Sequence, residues 1–235
     1  MGRAIGIMSF KGGVGKTTLT INLGCALYRL GKSVLVVDGN FLSPNLHLYL
    51  GLLRPEKTLK EVIRKNIAVE NAIYEHASGI HLLPCNFYKE INFEKFRELV
   101  LELKEKYDFV IIDSGPSYTE EVIAILVSSD ELLFIATPDY PSLASTVKAK
   151  KLANYKGLKV LGAVVNRRRK KRFELKNKDI EAVLGIGVIC EIPEDAKILK
   201  SVTKFSPVVW KRRRAKSSRA FMKLASKIIL GERGS

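Results

Sequence analysis

Short apolar runs alternate with segments of helical periodicity along the whole chain. Seven runs rich in Val, Ile and Leu, without strict polar alternation, predict strands covered on both faces: 4–8, 33–38, 80–84, 108–113, 131–137, 160–165 and 187–192. Helical spacing of apolar residues predicts helices over 17–30, 92–106, 119–128, 141–155 and 173–184. Repeated strand–helix units predict an α/β fold with a doubly wound, mostly parallel sheet flanked by helices.

No internal repeat or linker-like segment interrupts this pattern, so the sequence predicts one domain over residues 1–235. Gly31 follows the first predicted helix and is the expected C-terminal cap. The sequence contains no run of eighteen apolar residues, so we expect no membrane-spanning helix. No signal-peptide pattern precedes the first predicted strand. Three widely spaced cysteines without a C-x-x-C pair are typical of free thiols in a reducing compartment. We therefore expect a cytoplasmic protein.

Charge changes this picture because it is concentrated in two places. The net charge is +16. The run RRRKKR at 167–172, the first basic run, contributes +6, and the basic C-terminal segment, 204–235, contributes +9. The rest of the chain is nearly neutral. Local excess charge of this kind indicates an anionic partner.

A glycine-rich loop, SFKGGVGKTT at 9–18, lies between the first predicted strand and the first predicted helix. We expect Lys16 to reach the β- and γ-phosphates of a nucleotide and the Thr17 hydroxyl to bind Mg²⁺. The helix that opens at Thr17 and Thr18 points its positive dipole end at the same anion. Backbone N–H groups of the loop are expected to encircle phosphate oxygens, at Gly12, Gly13, Val14 and Gly15.

The loop departs from the usual phosphate-binding pattern at one position and carries an additional lysine. The pattern G-x-x-x-x-G-K-[ST] requires glycine where this chain has Phe10, and a second lysine, Lys11, stands at the start of the loop. One lysine is sufficient to bind the phosphates, so Lys11 requires another explanation.

Two aspartates end predicted strands, Asp38 in VLVVDGN and Asp113 in FVIIDSGP. In an open α/β sheet, ligands bind beyond the carboxyl ends of the strands. We therefore expect Asp113 to hold Mg²⁺ through a bound water and Asp38 to face the cation and the γ-phosphate. The apolar residues before Asp113 and the SGP after it resemble a Walker B element.

Residues 11–18, KGGVGKTT, resemble the deviant Walker A motif of the MinD/ParA class of P-loop ATPases, K-G-G-x-G-K-[ST]. Further segments resemble that family in order and spacing: 36–51, 79–84, 111–121, 137–152, 164–167 and 192–195. Residues 207–225 are similar to the closing strand and helix of archaeal MinD-like members. The resemblance covers essentially the whole chain and implies a P-loop NTPase fold and ATPase activity.

The resemblance implies a role for Lys11. In this family two monomers meet face to face with ATP between them, and the early lysine crosses to the phosphates bound by the other subunit. Lys11 would then act beside Lys16, as an arginine finger does. The chain is therefore expected to form a homodimer with ATP and to respond to an activating protein that the sequence does not identify.

The resemblance also implies the identity of the base and the rate of hydrolysis. Asn166 matches the asparagine that recognises adenine in relatives, and Pro193 begins the loop that packs near the base. Asn40 stands where many relatives have a second aspartate that positions the attacking water. Since asparagine orients water but cannot accept its proton, we expect slow hydrolysis, with Asp38 taking a larger share.

Two anionic surfaces are open as targets of this ATPase. Non-specific DNA is the first, because the first basic run and KRRRAK at 211–216 offer clustered cations to phosphates. An anionic membrane is the second, because an amphipathic stripe lies near the C-terminus, at Phe221, Leu224, Ala225, Ile228 and Ile229. DNA favours a role in chromosome partitioning at the nucleoid, and a membrane favours MinD-like regulation of cell division. Docking of the same helix on the sheet would also explain its stripe.

Delivery of metal or Fe–S clusters is a third alternative, because some relatives perform it with paired cysteines at the dimer surface. The positions of Cys25, in a predicted buried helix face, and Cys190, in a predicted strand, disfavour it.

Overall fold

The computed structural model describes residues 1–65, 67–116, 120–155 and 157–234, and one mostly parallel sheet organises them. The strands are β1 (Arg3–Met8), β2 (Val34–Gly39), β3 (Tyr74–Glu75), β4 (His81–Leu83), β5 (Phe109–Ser114), β6 (Glu131–Ala136), β7 (Lys159–Arg168) and β8 (Val188–Pro193). Their order across the sheet is β3-β4-β2-β5-β1-β6-β7-β8. The β3–β4 pair is antiparallel, and the other pairs are parallel.

Helices cover both faces of this sheet. They are α1 (Lys16–Arg29), α2 (Leu46–Tyr49), α3 (Leu59–Lys65), α4 (Phe93–Lys106), α5 (Glu120–Ser128), α6 (Tyr140–Tyr155), α7 (Asn177–Leu184), α8 (Ala196–Val202), α9 (Val208–Lys211) and α10 (Lys216–Ile229), with a 3₁₀ turn at Val69–Ala72. The predicted doubly wound α/β class is confirmed.

The strands are buried on both faces because successive side chains enter two different cores. Ile5 and Ile7 of β1 pack with α1 and α10, whereas Ala4 and Met8 pack in the core that α4 and α5 cover. This arrangement explains why the strands are continuously apolar instead of alternating.

Strand order brings the candidate residues together. β1 lies next to β5, and β5 lies next to β2. The carboxyl ends of these three parallel strands therefore lie at one edge of the sheet. At this edge, β1 has β5 on one side and β6 on the other.

All seven predicted strands are present, but the two-residue strand β3 was not predicted, and two local predictions need correction. Helix α7 begins at Asn177 instead of 173, because Glu174 accepts hydrogen bonds from the N–H groups of the loop at 169–171. The predicted closing strand is the short helix α9, in which Arg212 N–H donates to Val208 O at 2.8 Å. Pro207, with φ −60°, starts that turn, and the buried valines pack on α1.

The apolar stripe of α10 packs against the rest of the protein, which is the docking alternative given for it above. Its apolar side chains lie in the core beneath α1 and β8, at Phe221, Leu224, Ala225 and Ile228. Gly31 has φ 82° directly after the last residue of the α1 cap, as a C-terminal cap requires. Thr119, the first residue of the predicted helix 119–128, and the rest of 117–119 lie outside the described residues.

Candidate nucleotide-binding site

The loop between β1 and α1 has a backbone that only glycine adopts without strain at two positions. Gly13 has φ 73° and Gly15 has φ 103°. A Cβ at Gly15 would also lie 2.4 Å from Nδ2 of Asn166, whose amide donates to Val14 O at 2.7 Å. The side chain of Val14 is buried in the core. Only the backbone of Val14 is therefore available to a phosphate group.

Lys16 and Thr17, the first residues of α1, face the cavity that this loop encloses. Lys16 is buried, and burial lowers the pKa of its ammonium group, while the charge of Asp113 opposes that shift. Its Nζ donates to Lys11 O at 3.3 Å. Thr17 Oγ1 donates to Asp113 Oδ2 at 2.6 Å. The helix N-terminus, one ammonium group and one hydroxyl therefore converge, as an anion with a bound cation requires.

Asp38 and Asp113 lie opposite each other in the register of β2 and β5, and both are fully buried. Burial, and then the charge of Asp113, raises the pKa of Asp38 to about 8. Burial also raises the pKa of Asp113 to about 6. Two buried carboxylates side by side repel each other, and a divalent cation with oxygen ligands relieves that repulsion. The residues present therefore fit Mg²⁺.

Asp38 has a further role that its position at a strand end did not reveal. Its Oδ1 accepts the N–H of Asn40 at 3.1 Å, and its Oδ2 accepts those of Asn45 and Leu46 at 3.0 and 2.9 Å. Asp38 thus fastens the segment 40–46 to the end of β2. Asn45 Oδ1 also lies 3.4 Å from Thr17 Oγ1, which places that segment against the cation site.

Two adjoining cavities lie at the end of the loop. One, of about 330 Å³, is lined by the loop together with Asn40. The other, of about 370 Å³, is lined by Asn166, Pro193, Asp195 and Leu199. Both share Gly15 and Thr18, and the predicted base-binding residues lie in the second. Asp195 and Leu199 were not predicted as site residues, because apart from the match to IPED the segment 193–199, which includes the start of α8, carries no motif.

Lys11 does not line the phosphate cavity. Its Nζ forms an ion pair with Asp139 Oδ1 at 2.9 Å, and the two side chains are 35% and 42% exposed. Asp139 Oδ1 also accepts the N–H of Ser142 at the start of α6. The two lysines of the loop therefore have different surroundings: Lys16 is buried beside the phosphate cavity, and Lys11 is held at the surface. Sequence reasoning missed Asp139, because it lies 128 positions away from Lys11.

The first basic run is not a uniform cationic surface. Arg168 is buried and donates to Glu191, to Leu175 O and to Asn177 Oδ1, at 2.9, 2.6 and 2.6 Å. Arg169 is exposed but forms an ion pair with Glu194. In contrast, the cations of the C-terminal segment are exposed: Lys211, Arg212, Arg213, Arg214 and Lys216. The expectation that the whole run 167–172 offers cations to phosphates is therefore wrong at Arg168.

The three cysteines are free and buried. Burial is the main cause that raises the thiol pKa of Cys25 to about 12, of Cys190 to about 11, and of Cys85 well above its ordinary value. Protonated thiols are poor metal ligands. Within the described ranges, no three or more His, Cys, Asp or Glu side chains are grouped so that they could hold a metal ion by themselves. None of the helices in those ranges has the length and apolar character that crossing a membrane requires.

Comparison with known proteins agrees with this geometry. A model of the CobQ/CobB/MinD/ParA nucleotide-binding domain matches residues 5–208. An uncharacterized ATP-binding protein of Methanocaldococcus jannaschii is 35% identical, over 97% of this chain and 88% of its own. Among solved structures, the cell division ATPase MinD of Pyrococcus furiosus superimposes with a TM-score of 0.90, at 33% identity, over 98% of this chain and 99% of its own.

A second solved structure is the septum site-determining protein MinD of Pyrococcus horikoshii, which is in complex with Mg-ADP. Its TM-score is 0.89 at 31% identity, over 97% of this chain and 96% of its own. ATP and Mg²⁺ fit the site described here.

Proposed function

The chain belongs to the CobQ/CobB/MinD/ParA nucleotide-binding family, and on that premise we propose that it is an ATP-hydrolysing switch that dimerises when ATP is bound. The position of Lys11 carries the proposal. Lys16 already supplies the cation of the phosphate cavity, whereas Lys11 lies at the surface in an ion pair with an exposed aspartate. A cation placed there serves a site outside its own subunit.

Charge explains why such a lysine would couple ATP to dimerisation. Hydrolysis concentrates negative charge on the γ-phosphate and the leaving oxygen, and a cation brought by the second subunit stabilises that charge. ADP offers less negative charge to the incoming lysine. The dimer is therefore expected to form with ATP and to separate after hydrolysis.

Two substitutions in the loop test this switch. Lys11→Ala should retain ATP binding but lose dimerisation and hydrolysis, whereas Lys16→Ala should weaken binding itself. Sedimentation velocity with a non-hydrolysable ATP analogue and a phosphate-release assay measure both. A Lys11→Ala protein that dimerises and hydrolyses like the wild type would refute the role of Lys11.

We propose further that the ATP dimer binds DNA without sequence preference. The two basic stretches, distant in sequence, meet at one cavity of about 660 Å³, where Arg169, Lys170 and Lys216 lie together with Glu191 and Glu194. The exposed arginines 212–214 add cations just before Lys216 in the chain. Clustered cations bind backbone phosphates and release counterions. Pairing two subunits doubles this surface, so ATP should tighten binding through avidity.

Salt dependence distinguishes this binding from other kinds. For each phosphate neutralised, the logarithm of the affinity should fall by roughly 0.9 per logarithmic unit of salt. Replacing the three residues Arg212, Arg213 and Arg214 with alanine should flatten that slope, and ATP binding should be retained. Fluorescence anisotropy with two duplexes of unrelated sequence measures the slope. The absence of ATP-enhanced binding at low salt would reject DNA as the partner.

A membrane-associated role in placing the division septum is the second candidate, and the names of the MinD relatives favour it. The stripe of α10 cannot supply the contact, because its apolar residues are in the core. Only the basic surface would then bind lipid, through anionic headgroups. Sedimentation with anionic vesicles and with DNA, each with and without ATP, separates the two candidates.

A further inference from the structure

Asn40 carries a buried oxygen that the fold leaves without a partner. Its side chain is 6% exposed and lines the phosphate cavity. Its Nδ2 donates to Ser43 O at 2.5 Å. Its Oδ1 accepts no hydrogen bond from the residues that the structure describes. Buried acceptors are nearly always satisfied, so this oxygen indicates a missing donor.

A second oxygen shares the same small space. An ideal Cβ built on Gly115 would lie 2.9 Å from Asn40 Oδ1 and 3.0 Å from Glu121 Oε2. The two oxygens are therefore no more than about 6 Å apart. Because each O–H···O contact spans about 2.7 Å, one water can donate to both oxygens. Glycine at 115 leaves that space open.

The orientation of the Asn40 amide does not remove the need for this donor. If the amide were reversed, Nδ2 would face Glu121 and Oδ1 would face the carbonyl oxygen of Ser43, which cannot donate. In either orientation, the oxygen of the amide lies beside another acceptor. A water with two donors satisfies the observed arrangement.

Glu121 is held firmly at this position. It is 5% exposed, lies in the first turn of α5, and its Oε1 accepts the backbone N–H of Leu42. Leu42 belongs to the segment that carries Asn40 and that Asp38 fastens to β2. The carboxylate and the amide are thus fixed relative to each other, and the amide lines the phosphate cavity.

We propose that Glu121 is a catalytic residue that supplies the carboxylate missing at position 40: Asn40 Oδ1 and Glu121 Oε2 together hold the water that attacks ATP. This inference rests on the proposed ATPase function. It assigns the two tasks to different residues, since the amide orients the water and the carboxylate accepts its proton.

The step balances with ATP and water alone. The water oxygen forms a bond to the γ-phosphorus, and the bond from that phosphorus to the β,γ-bridging oxygen breaks, leaving its electron pair on ADP. One O–H bond of the water breaks, and its proton passes to the Glu121 carboxylate.

Single-turnover hydrolysis and binding of a fluorescent ADP test the assignment. Glu121→Gln keeps the oxygen that accepts the Leu42 N–H but removes the base, so the rate should fall by about 100-fold while affinity changes less than about twofold. Asn40→Asp combined with Glu121→Gln returns a carboxylate to the same water and should recover most of the rate. Glu98→Gln, an exposed change on α4, is the control.

Urea unfolding without nucleotide tests the same pair independently of activity. Asn40→Asp alone places two buried carboxylates around one space, so it should lower the unfolding midpoint. In the Glu121→Gln background, the same change should lower it much less. An Asn40→Asp effect that is equal in both backgrounds would overturn the pairing.

The outcomes separate this inference from the function on which it rests. A wild-type protein that binds ATP but never hydrolyses it would overturn both. A wild-type protein that hydrolyses ATP, beside a Glu121→Gln variant of equal rate, would overturn only the role of Glu121.

Discussion

The ion pair between Lys11 and Asp139 sets a cost for dimerisation that can be measured. If Lys11 acts on the partner subunit, it must first leave Asp139. Asp139→Asn removes the charge but keeps an oxygen to accept the Ser142 N–H at the start of α6. The variant should therefore release Lys11 without disturbing the helix, and the ATP dimer should become tighter.

The exposure of the pair limits the size of the effect. Both side chains are more than a third exposed, so solvent screens the pair and its strength is about 0.5 kcal/mol. Two such pairs open when one dimer forms, which gives about 1 kcal/mol, or about a fivefold change in the dimerisation constant. The change should shrink as salt is added.

Sedimentation equilibrium with a non-hydrolysable ATP analogue measures this constant. Glu102→Gln is the matched control, because it removes an ion pair of similar exposure, with Lys106, from α4. A weaker dimer for Asp139→Asn would refute the reasoning, since it would mean that Asp139 supports the dimer instead of competing with it.

Three further predictions concern stability. Arg168→Ala should lower the free energy of unfolding in urea by about 3 kcal/mol, because it removes the buried guanidinium that pairs with Glu191 and donates to Leu175 O and Asn177 Oδ1, and Arg212→Ala should hardly change it; equal effects would contradict this. Phe221→Glu should lower the thermal midpoint sharply, because it buries a charge in the core, and an unchanged midpoint would contradict that. Without nucleotide and Mg²⁺, the free energy of unfolding should fall by about 1.4 kcal/mol per pH unit between about pH 6, where Asp113 ionises, and about pH 8, most cleanly above neutrality, where the histidines are uncharged. The folded Asp38 keeps a proton that the unfolded chain releases, so Asp38→Asn should abolish this slope; a slope that persists would contradict the assignment.

The strands were predictable because burial on both faces produces a local sequence pattern, namely a short continuous apolar run. β3 has only two residues and no periodicity to detect. The closing strand was predicted wrongly because the valines after Pro207 favour a strand locally, whereas packing against α1 makes them helical. Tertiary contacts override a weak local preference of this kind.

The candidate site also has a part that the sequence predicts and a part that only the fold brings together. The loop from Lys11 to Thr18 is contiguous, so its chemistry is readable from spacing alone. Asp139 and Glu121 meet the loop and Asn40 only through the order of the strands, which no local pattern encodes. The charge count also could not show that the guanidinium of Arg168 donates to partners inside the protein and does not face solvent.

Asp38 connects the cation site to the segment that carries Asn40, so we expect cation binding to affect the order of that segment. Its raised pKa means that the folded chain favours the protonated carboxyl near neutral pH. A bound Mg²⁺ favours the ionised form, and an ionised carboxylate accepts stronger hydrogen bonds from N–H groups. We therefore expect cation and nucleotide to tighten the bonds from Asn45 and Leu46, and so to order the segment that positions Asn40. Amide hydrogen exchange of these two N–H groups, with and without Mg²⁺ and ADP, measures the link, and equal rates would contradict it.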